Sequence, residues 1–141
     1  MLVGADHAGF ELKAKLIDEL KRLGYDPVDV GAETLDPQDD YPDFARPVAE
    51  AVSRGDVLRG VLTCGSGLGM TFVANRYPHV RAAVVWSPEI AELSRKHNDA
   101  NILVLPSWFM SDTESLDTLH RFLDTPFDGG RHQRRVEKID Q

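Results

Sequence analysis

Gly60-Val61-Leu62-Thr63-Cys64-Gly65-Ser66-Gly67-Leu68-Gly69 is the stretch that decides how this chain folds. An apolar run gives way at Cys64 to a turn in which every second residue is glycine, and a helix-competent segment follows from Met70. A strand that enters a glycine-rich turn and leaves it as a helix is the first half of a parallel crossover unit. Sheets made of such units bind ligands beyond the carboxyl ends of their strands.

Working outward, β-like runs at 1–5, 27–30, 58–63, 80–85 and 101–105 alternate with helical patterns. In the first helix Phe10, Ala14, Ile17, Leu20 and Leu23 form the expected apolar face, with Gly24 as the stop. Further helices are expected from near Pro42, after Gly69, after Ser87-Pro88, and from an N-cap at Asp112 or Thr113. Five strands separated by helices imply an α/β fold, a Rossmann-like three-layer α/β/α sandwich with a five-stranded parallel sheet. That architecture predicts a site at Asp6-His7, after the first strand, and at Cys64 to Gly69, after the third.

The 141 residues, 42% of them hydrophobic, suit a single domain spanning 1–141, with a basic tail at 129–141 after a glycine hinge. A formal net charge of −7 argues against nucleic acid as a partner, because that role needs a cationic face to displace counterions. A single cysteine offers no intramolecular disulfide, and a reducing cytoplasm is the expected compartment. Neither a basic segment leading into an apolar one nor a run of 18 apolar residues occurs, so no export signal, membrane span or membrane partner is expected.

Several motif readings fail on spacing. The third glycine of a dinucleotide fingerprint and the arginine of a cysteine phosphatase loop would both fall at Met70, and no Gly-Lys-Ser or Gly-Lys-Thr occurs. No histidine pair has the i, i+4 spacing of a helical metal site, so a metal and other cofactors are not expected. Taken alone, Cys64 fits either an inert core thiol or a reactive one whose pKa is lowered by the following helix. His97, in Lys96-His97-Asn98-Asp99, fits either a catalytic acid or a helix C-terminal cation. Arg131 and Arg135 would share one helical face, which suits a phosphate or plain solvation.

Five segments taken together resemble the ribose-5-phosphate isomerase B family, within the ribose/galactose-6-phosphate isomerases. They are Gly4-Ala5-Asp6-His7-Ala8-Gly9-Phe10, Asp40-Tyr41-Pro42, Cys64 to Gly69 with Ala74-Asn75, Ser94 to Asn101, and Gly129-Gly130-Arg131-His132-Gln133. The resemblance implies a metal-free aldose–ketose isomerase acting on ribose 5-phosphate and ribulose 5-phosphate through an enediolate, a step of the pentose phosphate pathway. Cys64 is then the base, as expected for the cysteine branch, since the glutamate of the other branch would fall at Met70. His97 becomes the acid that opens the furanose ring. Asp6, His7 and Asn98 contact substrate, and Gly65, Ser66, Gly67, Leu68 and Gly69 line the oxyanion. Arg131 and Arg135 hold the phosphate. The family forms homodimers, sometimes tetramers, with sites built between subunits.

One position departs from the pattern. Relatives commonly carry a phosphate-contacting arginine eleven residues beyond the motif histidine, where this chain has Trp108. The indole reshapes the pocket, packs between subunits, or leaves the lost charge to Arg134 or His7. Allose 6-phosphate, galactose 6-phosphate and tetrulose phosphates are alternative substrates, and a non-catalytic sugar-phosphate or nucleotide binding module is an alternative of another class.

Overall fold

The computed structural model describes residues 1–139. Strands β1 (Leu2–Ala5), β2 (Val28–Asp29), β3 (Gly60–Cys64), β4 (Ala82–Val84) and β5 (Ile102–Pro106) form one sheet in the order β2-β1-β3-β5-β4. Every pairing is parallel, as crossover connections demand. The chain starts in the middle of the sheet and winds outward both ways, which leaves a crevice at the carboxyl ends of β1 and β3.

Helices α1 (Phe10–Arg22), α2 (Tyr41–Ser53), α3 (Leu68–Ala74), α4 (Pro88–Asn98), α5 (Asp112–Asp124) and α6 (Gln133–Val136) complete the layers. Strand residues alternate between two cores, as a pleat with period two requires. Val3, Val61, Leu103 and Leu105 pack with Leu12, Leu16, Leu20, Leu119 and Phe122 beneath α1, α4 and α5. Leu62, Cys64, Ile102 and Val104 pack with Val48, Ala49, Met70 and Ala74 beneath α2 and α3. Cys64 therefore faces the α2–α3 layer while its backbone ends β3.

The expected architecture holds, with four local corrections. In α1 the buried face is Leu12, Lys13, Leu16 and Leu20, whereas Ala14 and Leu23 are exposed. The buried Lys13 belongs there because its ammonium pairs with Asp29 Oδ2 at 2.9 Å and donates to Ala32 O at 2.6 Å. The N-cap of α5 is Ser111, not Asp112 or Thr113, and it forms a reciprocal capping box with Glu114. The edge strands β2 and β4 are shorter than 27–30 and 80–85, since an edge has a neighbour on one side only. Gly69 lies in the first turn of α3 rather than before it. The basic tail forms a 3₁₀ turn at Gly130–His132 that runs into α6, and its last two positions lie outside the described residues. No helix among the described residues is long and apolar enough to cross a membrane.

Candidate functional site

Cys64 sits at the crevice, 6% exposed. Its Sγ accepts the Gly67 N–H at 3.2 Å. Gly67 has φ +75°, a left-handed conformation that turns this N–H back onto the sulfur and that glycine adopts without strain. Burial nevertheless pushes the thiol above its ordinary value, with the Asp6 charge adding to it, and the N–H groups of Gly67, Met70 and Ser66 offset only part. Of the two readings the sequence left open for this thiol, the direction of its pKa does not match the one lowered by the following helix, because desolvation outweighs that short helix start. The Ser66 hydroxyl accepts the Leu68 N–H at 3.4 Å.

Asp6 and His7 follow β1 beside this turn. Asp6 is buried and caps the 3₁₀ turn His7–Gly9, accepting N–H bonds from Ala8 at 3.0 Å and Gly9 at 3.2 Å. Burial raises its carboxyl above the usual range despite those bonds and the nearby His7. His7 Nδ1 lies 2.6 Å from Asp39 Oδ1, which also accepts the His7 backbone N–H at 3.2 Å. That bond raises the imidazole pKa, helped by the charges of Asp6, Asp39 and Asp36.

Aromatic rings wall the glycine turn. Trp108 is laid over Gly65 so closely that a Cβ there would lie 2.6 Å from the indole carbons, and Tyr41 covers Gly69 in the same way. Ser107 fastens the loop after β5 to the crevice: its N–H donates to Cys64 O at 2.9 Å and its hydroxyl to Ala8 O at 2.7 Å.

The remaining expected residues gather elsewhere. His97, in the last turn of α4, stacks on His132, with ring centroids 4.3 Å apart and planes 11° apart. The Asp128 N–H donates to Lys96 O at 3.1 Å and ties the tail to the end of α4. Arg131 and Arg135 are exposed, and their charges, after burial and His97, hold the His132 imidazole below its ordinary pKa. Asn98 is exposed beside them, and Asp99 ends α4 at φ +47° with its carboxylate accepting from Arg81 at 3.0 Å and Arg95 at 2.8 Å.

These two groups occupy opposite ends of the sheet. Gly60 pairs with Ile102 and Cys64 with Pro106, so β3 and β5 run side by side from the same starting level. His97 precedes the start of β5 and Cys64 ends β3, a separation of about 13 Å along the strands at roughly 3.3 Å per residue. Within one copy Cys64 and His97 do not meet.

The Ribose/Galactose Isomerase family model matches residues 1–139. The chain belongs to the ribose/galactose isomerase family. Among curated members of this family, a probable ribose-5-phosphate isomerase B of Mycoplasma genitalium is 42% identical over 140 residues, covering 99% of this chain and 92% of that protein. Ribose-5-phosphate isomerase B of Escherichia coli is 39% identical, over 96% of this chain and 91% of its own length. The crystal structure of a Thermotoga maritima ribose 5-phosphate isomerase superposes with a TM-score of 0.95 at 44% identity, covering 99% of this chain and 95% of that one. The Mycoplasma genitalium isomerase, solved with bound ribulose-5-phosphate, has a TM-score of 0.95 at 42% identity, covering 98% and 91%.

Against this family background, sequence reasoning left four side chains without a role. Asp39 holds His7, His132 stacks on His97, Tyr41 covers Gly69 and Ser107 fastens the crevice. The acidic run Asp36-Pro37-Gln38-Asp39-Asp40 gave the only hint of the first. Among the described residues two groups could offer a cation three donors within 4.8 Å of one another, Asp6-His7-Asp39 and His97-Asp128-His132. In the first, a cation would have to break the His7–Asp39 bond, and in the second it would face Arg131 and Arg135.

Proposed function

We propose that this family member interconverts ribose 5-phosphate and ribulose 5-phosphate through an enediolate, in a site shared by two copies of the chain. The observation that carries the reading is the thiol of Cys64 beside a turn of backbone donors at the carboxyl end of β3, in a chain superposable on an isomerase solved with ribulose-5-phosphate. His97 donates a proton to the furanose ring oxygen as its bond to C1 breaks, the C1 hydroxyl gives up its proton to water to become the carbonyl, and the open-chain aldose is freed. The Cys64 thiolate removes the proton from C2, and the C1 carbonyl becomes the enediolate oxygen. The same sulfur returns a proton to C1 while the O2 proton passes to O1, which leaves the ketose.

A C–H beside a carbonyl is a weak acid, so base and oxyanion donors must act together. The turn from Gly65 through Ser66, Gly67 and Leu68 to Gly69 supplies the donors, Asp6 and Asn98 hold sugar hydroxyls, and Arg131 and Arg135 take the phosphate. Binding energy at that remote phosphate keeps the carbon against the sulfur. A non-catalytic module would need neither Cys64 nor His97.

The separation of Cys64 from His97 supports a homodimer, or a tetramer of dimers, in which one copy brings the base and the other the acid and arginines. Exposed Leu68, Phe72, Trp108 and Phe109 around the Cys64 end suit such a contact. The same reading places the protein in the cytoplasm, where phosphorylated sugars are held. A steady-state assay of aldose-to-ketose conversion, with ribose 5-phosphate and allose 6-phosphate side by side and Cys64→Ala as control, tests it. Preference for ribose 5-phosphate that vanishes in the variant supports the reading, and turnover retained by Cys64→Ala overturns the mechanism.

A further inference from the structure

We propose that Asp39 is a positioning residue: it fixes His7 with Nδ1–H donated to its carboxylate, and leaves Nε2–H for an anionic oxygen of the sugar phosphate. The inference rests on the reading of the Cys64 end as the substrate site and adds a residue to it.

Three observations meet at this pair. Asp39 Oδ1 is committed twice to His7, to the ring nitrogen at 2.6 Å and to the backbone N–H at 3.2 Å, so both the position and the rotation of the imidazole are set by one oxygen. The side chain of Asp39 is only 9% exposed, and its Oδ2 is buried without a hydrogen-bond partner among the described residues. A loop carboxylate kept for local stability would be expected to satisfy both oxygens, because an orphaned buried acceptor costs stability. Finally, the His7 side chain is 34% exposed, and its Nε2 has no protein partner among the described residues. A histidine whose Nδ1–H is held by a carboxylate presents Nε2 in a fixed direction, as an acceptor while the ring is neutral and as a donor once the ring is protonated.

The electrostatics agree with this geometry. The charged groups that face the ring are Asp6 on its own turn and Asp36 and Asp39 on the loop after β2, and all three favour the imidazolium over the neutral ring. Asp39 makes the largest contribution, through its hydrogen bond. A charged donor binds an anionic oxygen more tightly than a neutral one. The ring stands on the same crevice as Trp108, and a proton on it puts positive charge beside an indole that carries none.

The test compares wild type with Asp39→Asn by three readouts: the imidazole ¹⁵N resonances of His7 against pH, the pH dependence of KM and kcat for ribose 5-phosphate, and the affinity for inorganic phosphate. The expected result is a wild-type His7 that carries its Nδ1 proton and titrates at higher pH than in the variant. The rise of KM with pH should move to lower pH by the same interval. At a pH between the two His7 titrations KM should increase about five- to tenfold, the difference between a charge-assisted and a neutral hydrogen bond, with a smaller change in kcat. Identical His7 titrations in the two proteins overturn the proposal, as does a shifted titration that leaves KM and phosphate affinity unmoved. If wild type does not isomerise ribose 5-phosphate, the activity reading alone fails, and the ¹⁵N titration with phosphate affinity still decides this one. Should Asp39→Asn not fold, the wild-type spectrum is decisive: a neutral His7 protonated only at Nε2 contradicts the assignment.

Discussion

His132 lies flat on His97, 4.3 Å between ring centroids, and thereby joins the C-terminal tail to the helix that carries the proposed ring-opening acid. Burial, the His97 charge and the two flanking arginines all disfavour a proton on His132, so its folded pKa lies below the ordinary 6.5. A group of this kind binds more protons unfolded than folded, so its contribution to stability is present above 6.5 and is lost as the pH falls below it. Acidification should loosen the tail from α4, seen as faster amide exchange at residues 129–136, and His132→Phe should remove that pH dependence while keeping the stack.

The placement of Cys64, the proposed base, and His97, the proposed acid, at opposite ends of one copy makes a complementation experiment possible. Cys64→Ala and His97→Asn should each be inactive on ribose 5-phosphate. Mixing equal amounts and allowing exchange should restore roughly a quarter of wild-type turnover, because half of the dimers are mixed and half of the sites in those are intact. No recovery, with exchange verified by mass, would place the acid and the base within one copy.

The two variants should also fail differently. Cys64→Ala should lose at least about 10²-fold in turnover, the lower end of what a general base contributes, while keeping sugar-phosphate affinity. His97→Asn should impair ribose 5-phosphate far more than an aldose phosphate too short to cyclise. Equal losses on both substrates would remove His97 from ring opening.

Because burial raises the Cys64 thiol above its ordinary 9.0, the thiolate is scarce at neutral pH. The value of kcat should therefore keep climbing as the pH passes 9.0, and alkylation by iodoacetamide should climb in parallel. A plateau below that point would show that bound substrate lowers the thiol pKa.

Trp108 stands where the family resemblance leads one to expect an arginine, and two substitutions test what the indole does there. Trp108→Arg should tighten binding of ribose 5-phosphate by about tenfold or more, the equivalent of one charge-assisted contact of roughly 1.5 to 3 kcal/mol. Trp108→Ala should admit allose 6-phosphate if the indole limits sugar length. Unchanged KM values in both variants would assign the ring to subunit packing.

The parallel sheet, the two ends of the crossovers and the identity of the Cys64 turn were legible because strand period, glycine spacing and N-cap chemistry are local signals. The face of α1 was not, since Lys13 is buried by a partner on β2 and a carbonyl at Ala32, neither of which periodicity can weigh. Ser111-x-x-Glu114 carried a readable capping box, and Asp112 beside it drew the boundary one residue late. Asp39 and His132 escaped for a different reason. Each acts through one contact with a residue more than thirty positions away, His7 or His97, and no pattern within a window reports such a pair.

The side-by-side register of β3 and β5 makes those strands a ruler. If each site takes its base from the top of one copy and its acid from the bottom of another, the five-residue strands set the distance between the two sites that a single chain helps to build. Lengthening β5 by one residue would rotate its side chains by half a turn of the pleat and move Trp108 and Ser107 away from Cys64. It would also change the spacing between His97 and the partner's thiol. The length of these central strands is thus under a double constraint, and surface loops rather than the sheet are where this chain can accept insertions.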